Sequence, residues 1–175
     1  MRQGHGATLA EAGPAGAKPS RRGRESLHTR WHSAWLLLTL ALAGHVLDEA
    51  LTDFLGVYNP AVEAIRESLP WLPLPTFTFE TWIAGLVIAV LGLAALAPLV
   101  RNGRTWMRGL SRVYGGVMAL NGLGHLGGSL LLGRWLPGVV SSPFLLGAAI
   151  FLLVSVPRPT GRLETGPPAP HAPAG

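Results

Sequence analysis

The stretch Ser33-Ala-Trp-Leu-Leu-Leu-Thr-Leu-Ala-Leu-Ala-Gly-His-Val-Leu-Asp-Glu-Ala-Leu-Thr52 decides the fold. Between Ala34 and Ala43 only Thr39 is polar, and the whole stretch has the roughly 20 residues a helix needs to cross hydrocarbon. Its last third then sets His45, Asp48 and Glu49 into the same helix. Each ionisable group placed there costs about 2.5 kcal/mol or more on an insertion scale, so each needs a partner or a purpose.

Three further apolar segments follow, at about 79–100, 110–132 and 139–156. With the first, at 33–52, they predict four membrane-spanning helices, an all-α integral membrane four-helix bundle over 31–156. Residues 1–30 and 157–175 are rich in Gly, Ala, Pro and Arg or in Pro alone, with no apolar periodicity, and read as disordered arms. Trp35 to Leu42, followed by Ala41-Leu-Ala43, also has the form of a signal peptide with a small-residue cleavage site. Cleavage there would remove the first helix and strand His45 at a new terminus.

The charges agree with four crossings. Charged residues make up 13% of the chain against 49% apolar ones, and the net charge is +5. Soluble domains carry about a quarter charged residues. The basic residues gather in three places: Lys18, Arg21, Arg22, Arg24 and Arg30; Arg101, Arg104, Arg108 and Arg112; and Arg158 with Arg162. The first connection holds Asp53, Glu63, Arg66 and Glu67, and the third only Arg134. Four crossings put all three basic regions on one side, which the positive-inside rule identifies as the cytoplasm. The expected location is the plasma (inner) membrane, multi-pass, with both termini cytoplasmic. The arginines accompany no reading motif, so no nucleic-acid partner is expected. The partners expected are the bilayer and a lipid-like small molecule.

Absent chemistry narrows the function further. There are no cysteines, which excludes disulfides, thiolate metal sites and cysteine nucleophiles. No Gly-x-Ser-x-Gly and no Walker sequence occurs. In the first connection, Asn59-Pro60 reads as a helix start. Val62, Ile65 and Leu69 then share a face, and Pro70-Trp-Leu-Pro-Leu-Pro75 ends the element. A short interfacial helix anchored by Trp71 is expected there, with the capacity to act as a lid.

The intramembrane polar residues form the candidate site. At 100° per residue, His45, Asp48 and Glu49 fall within one arc of helix face. Asn121 and His125, four apart, also share a face, with Gly124 and Gly128 on the same stripe. Small residues at this spacing let a neighbouring helix come close. Counted from the inner ends of their segments, His45 and Asn121 lie at matched depth, roughly 16–18 Å in. Glu80, at the outer start of the second segment, is placed to cap the cluster. These residues form a coherent ligand set: His45, Glu49 and His125 around a divalent metal (zinc, iron or manganese), with Asp48, Asn121 and Glu80 supporting them. His45, Asp48 and Glu49 are alternatively proton donors and acceptors for metal-free isomerisation of a lipid. Transport and a purely structural helix lock remain further readings, and the residues leave open whether the chain is an enzyme.

His45-Val-Leu-Asp48-Glu49, then Asn121-Gly-Leu-Gly-His125, then Leu136-Pro137-Gly138-Val-Val-Ser141, resembles the HXXEE family of small, mainly bacterial multi-helix membrane proteins. The resemblance spans about 34–156. It departs at Asp48, where the family motif has Glu. It implies a membrane helical fold and a His/carboxylate site, and it implies no reaction. The arrangement is also similar to the emopamil-binding and sterol-isomerase type of bundle, which faces a His and acids towards a lipid-like substrate.

Overall fold

The computed structural model describes residues 21–158, with side chains from Glu25 onward. Residues 1–20 and 159–175, with most of the two expected arms, lie outside the described residues. Six helices make up the described chain: α1 (Arg21–Leu51), α2 (Phe54–Ser68), α3 (Phe79–Ala95), α4 (Ala97–Arg101), α5 (Thr105–Leu132) and α6 (Ser142–Ser155). No strand occurs among the described residues.

α1 is the central element. It packs along α6 and against α3 and α4, and touches α2 and α5 only briefly. α5 pairs instead with α6, so α6 lies between the two helices that carry the polar residues. Trp31, Ala34, Trp35 and Leu38 of α1 are fully buried, together with Val100, Met107, Leu145, Ala149 and Leu152. This is the i, i+3, i+4, i+7 pattern of one helix face turned inward.

Four expectations are corrected by these elements. α1 begins at Arg21, so residues 21–30, read as arm, are helical. Arg, Glu and Leu are good helix formers, and extending an existing helix needs no new nucleus. The second segment is two helices rather than one, broken at Leu96 with Pro98 in the first turn of α4, where the missing N–H costs nothing. The fourth segment shrinks to the 14 residues of α6, because residues 138–141 form a turn. α2 starts at Phe54, not at Asn59-Pro60. Asp53, in the left-handed region at φ 57°, accepts the Gly56 N–H through its carboxylate and caps the helix, leaving Pro60 inside it. Asn59 instead ties α2 to the next connection: its Nδ2 donates to the Phe77 carbonyl at 2.9 Å and its Oδ1 accepts the Phe77 N–H at 3.1 Å.

Among the described residues, two helical stretches are long and apolar enough to cross a membrane, residues 25–51 and 79–101. α6 is apolar but shorter, and α5 is long but carries Arg108 and Arg112 in its first turns. The start of α1, the α4–α5 connection and the end of α6 meet at one end of the bundle. There Trp31 Nε1 donates to Ser111 Oγ at 3.0 Å, and the Arg30 guanidinium lies 5.5 Å from the Phe151 ring centre. The end of α1, α2, the start of α3 and the α5–α6 connection occupy the other end.

The glycine stripe works differently from its expected role. A Cβ on Gly124 would meet nothing within 4 Å, so no helix backbone approaches it. The close approach occurs at Gly115 and Gly122, where an added Cβ would stand 2.9 Å from Leu153 and 3.1 Å from the Ser142 carbonyl. The α5–α6 contact is therefore set by Gly115 and Gly122, and Gly124 leaves open space beside His125.

A candidate metal centre

Near the C-terminal end of α1, just past the apolar run 34–43, His45 and Glu49 sit one turn apart on the inward face. Both are buried, His45 completely. His45 Nε2 lies 3.5 Å from Glu49 Oε1, and His125 Nε2, arriving from α5, lies 3.1 Å from the same oxygen. The two imidazoles face each other edge to face, with ring centres 4.9 Å apart. One donor atom from each of His45, Glu49 and His125 lies within 4.8 Å of the other two, so the group could hold a metal ion. Around a tetrahedral ion with bonds of about 2.0–2.1 Å, ligand atoms stand roughly 3.3 Å apart. The two histidine-to-Glu49 separations, 3.5 and 3.1 Å, lie to either side of that value, and the third pair lies within 4.8 Å.

The turn between α5 and α6 completes the centre. Ser141 Oγ donates to Asp48 Oδ2 at 2.7 Å, and the Ser141 N–H donates to the same oxygen at 2.9 Å. His45 Nδ1 lies 2.8 Å from Ser141 Oγ. A hydroxyl has one proton, and here the carboxylate takes it. With that proton directed at the carboxylate, the shared hydrogen bond runs from His45 Nδ1–H to the serine oxygen and the lone pair stands on Nε2. That atom is buried, with Glu49 Oε1 at 3.5 Å and the Asn121 side chain beside it. A lone pair facing a carboxylate oxygen across 3.5 Å is repulsive unless a cation, metal or proton, stands between them. The Asp48–Ser141–His45 chain is the arrangement that fixes a histidine tautomer for metal ligation.

Gly138 lets the turn come this close. Its φ is +79°, and a Cβ there would lie 2.9 Å from His45, 3.0 Å from Glu49 and 3.1 Å from His125. Only a residue without a side chain fits against all three at once, in a backbone region that L side chains rarely adopt. The Gly138 carbonyl accepts from Ser142 Oγ at 2.7 Å, which seats the start of α6 on the turn.

Beside Glu49 and His125 opens a pocket of about 430 Å3, bounded by Phe54 and Val57 of α2, Asn121 and Gly124 of α5, and Leu136 and Pro137. Asn121 adds a buried amide oxygen beside His45, and the rest of the lining apart from Glu49 and His125 is apolar.

The structure therefore brings together His45, Glu49 and His125, places Asp48 two hydrogen bonds behind His45 through Ser141, and lines the adjoining pocket with Asn121. It does not bring Glu80 to them. Glu80 stands exposed in the first turn of α3, a position where a carboxylate complements the helix dipole, and the N-cap beside it is supplied by Thr78. Ser141 and Gly138 had no assigned role in the sequence reading. The signal was present: a buried histidine needs a partner for its second nitrogen, and Pro137-Gly138 is a turn that could deliver one. The chain matches no family model, no curated protein and no solved structure, so the likeness to the HXXEE family rests on its motif residues alone.

Proposed function

We propose that this chain is an integral membrane protein that holds a divalent transition metal at His45, Glu49 and His125 and acts on a lipid-like molecule in the adjoining pocket. The observation that carries the reading is the convergence of His45 Nε2 and His125 Nε2 on one buried carboxylate oxygen of Glu49. Two histidines and one carboxylate with a further position left open is the ligand pattern of catalytic zinc sites, whereas structural sites are closed by four protein ligands. A metal there supplies Lewis-acid activation of a bound oxygen. The protein's own groups orient His45 through Asp48 and Ser141, keep water out by burial, and offer Asn121 to a substrate. A helix lock without function would close with every polar group paired. Here a pocket lies beside Glu49, Asn121 and His125, which a closed lock would not leave.

Membrane insertion is supported by the two long apolar stretches and by the outward apolar faces of the other helices. Leu40, Ile88, Leu91, Leu120, Leu130 and Phe144 are all more than half exposed, although apolar surface of this extent is rare on soluble monomers. With the arginines of α4 and α5 at the same end as the start of α1, both termini are assigned to the cytoplasm. The site then lies in the outer half of the bundle. A second reading, metal-free proton transfer between Glu49 and a lipid double bond, draws on the same apolar pocket beside Glu49.

Elemental analysis of the detergent-purified protein, beside a His45→Ala/His125→Ala double variant, separates the two. Near-stoichiometric zinc, iron or manganese in the parent and none in the variant is the expected result. No metal in either, after reloading with all three, overturns the metal reading and leaves the proton-transfer one.

A further inference from the structure

The outward face of α5 changes character at Arg112. From Val113 through Val117, Leu120 and Leu123 to Leu132, its exposed large residues are apolar and each more than half exposed. That stretch has about the 20 residues that cross a hydrocarbon layer of roughly 30 Å. α5 as a whole is 28 residues long. Its first turns therefore stand in the headgroup layer, at the end assigned to the cytoplasm, with Arg104 at the N-cap and then Arg108 and Arg112. Arg101, in the last turn of α4, adds a fourth guanidinium. Trp106, 56% exposed, marks the same level as an interfacial aromatic residue does.

Steps of four residues set Arg104, Arg108 and Arg112 along one flank of the helix. Arg104 and Arg112 are exposed and Arg108 is half-buried. Arg108 Nε is shielded from solvent and has no acceptor, so its stem is held in the bundle while its charge stands at the flank. Among the described residues, none of the four arginines has a salt bridge or a side-chain hydrogen bond. The first turn of α5 contains no acid. The positive-inside rule asks for basic residues on this side, but it does not ask for one that is half-buried and unpaired. A guanidinium partly withdrawn from water without a counter-charge is costly until an anion meets it.

We infer that Arg108 and Arg112, with Arg104 beside them, bind the phosphate of an anionic phospholipid in the cytoplasmic leaflet. The inference rests on the membrane reading of the chain and is independent of the metal centre.

Position makes the ligand a lipid. Arg112 stands at the border of the apolar face, with Val113 turned outward next to it. A headgroup phosphate already lies at that depth, whereas a soluble anion would have to leave water to reach it. Charge makes the lipid anionic. A choline head would bring a further positive charge into a group of four, with no acid in the first turn of α5 to receive it. Arginine also suits the task, since its planar fork grips phosphate through two parallel N–H bonds.

The test uses the full chain in detergent micelles containing equal amounts of phosphatidylglycerol and phosphatidylcholine with identical acyl chains. Native mass spectrometry counts the lipid that stays on the protein when the micelle is removed. Phosphatidylglycerol is expected to be retained over phosphatidylcholine by about tenfold, the effect of one to two basic residues at a membrane surface. Arg108→Gln/Arg112→Gln is expected to bring that ratio to about one. Arg66→Gln/Arg134→Gln removes the same charge from exposed positions elsewhere and is expected to keep the preference. Glutamine is a good helix former, and far-UV circular dichroism checks that each variant stays folded. Equal loss in the two double variants makes the preference one of net charge and overturns the inference. Equal retention of the two lipids by the parent chain overturns it as well. Displacement of phosphatidylglycerol by excess inorganic phosphate overturns it in favour of a soluble-anion site. A chain that stays in solution once detergent is withdrawn overturns the membrane reading and this inference with it. A chain that needs detergent and shows no lipid preference overturns this inference alone.

Discussion

Along α1, Trp31 and Trp35 bury their indoles as completely as His45 buries its imidazole. The two indole N–H groups are each paired, one with Ser111 Oγ at 3.0 Å and one with the Leu93 carbonyl at 2.9 Å. Three helical turns further on, His45 is paired at Nδ1, and its Nε2 faces Glu49 with His125 and Asn121 around it. Burial is the same at both ends of the helix and the surroundings are not. A buried tryptophan with its one donor met adds packing and hydrogen-bond energy to the fold. A buried histidine whose second nitrogen faces a carboxylate at 3.5 Å and a second imidazole is placed to share a cation with them.

That contrast can be broken from either end. Trp35→Ala removes a fully buried side chain from the inner core and should cost about 3–5 kcal/mol in stability. Unfolding followed in detergent should show this loss, while the folded fraction keeps its metal. Gly138→Ala should do the reverse. Its Cβ would press on His45, Glu49 and His125 together, so metal affinity should fall by about a hundredfold while stability changes by only about 1–3 kcal/mol, the range for a strained backbone position. A competition titration with a chelator reads the affinity, and unchanged affinity would show that the turn does not press on the ligands.

A gentler change tests the tautomer. Asp48→Asn and Ser141→Ala leave the three ligands in place and remove what orients His45, and each should weaken metal binding about 10–100-fold. A purely structural role for Asp48 would instead lower stability and leave the affinity alone. The smallest effect belongs to the inner end: Trp31→Phe keeps an aromatic ring but leaves Ser111 without its donor, and should cost about 1 kcal/mol with no effect on metal content.

Much of this was legible in the sequence, for reasons that also mark where legibility ended. The apolar segments, the inward face of α1 and the pairing of His45 and Glu49 with His125 all follow from helical period and matched depth. Period reveals which face is polar but not which helix covers it. So α6 between α1 and α5 was not foreseen, and the close helix approach expected at Gly124 and Gly128 is made at Gly115 and Gly122, while Gly128 meets the Leu136 side chain. Tertiary partners drawn from loops leave the weakest local trace. Ser141 becomes part of the site only because a turn of the backbone at Gly138 folds it over Asp48. Asn59-Pro60 reads as a helix start by local preference, but Asp53, well before it in the chain, captures the Gly56 N–H and the helix starts there. Glu80 failed for a related reason, since a carboxylate at a helix start is at home on the surface.

The most direct test of the central claim is X-ray absorption at the K edge of whichever metal the purified protein carries. The account predicts two imidazole nitrogens and one carboxylate oxygen at about 2.0–2.2 Å, with one imidazole signal lost in His45→Ala and one in His125→Ala. A spectrum with oxygen ligands only, or one unchanged in both variants, would place the metal elsewhere and contradict it.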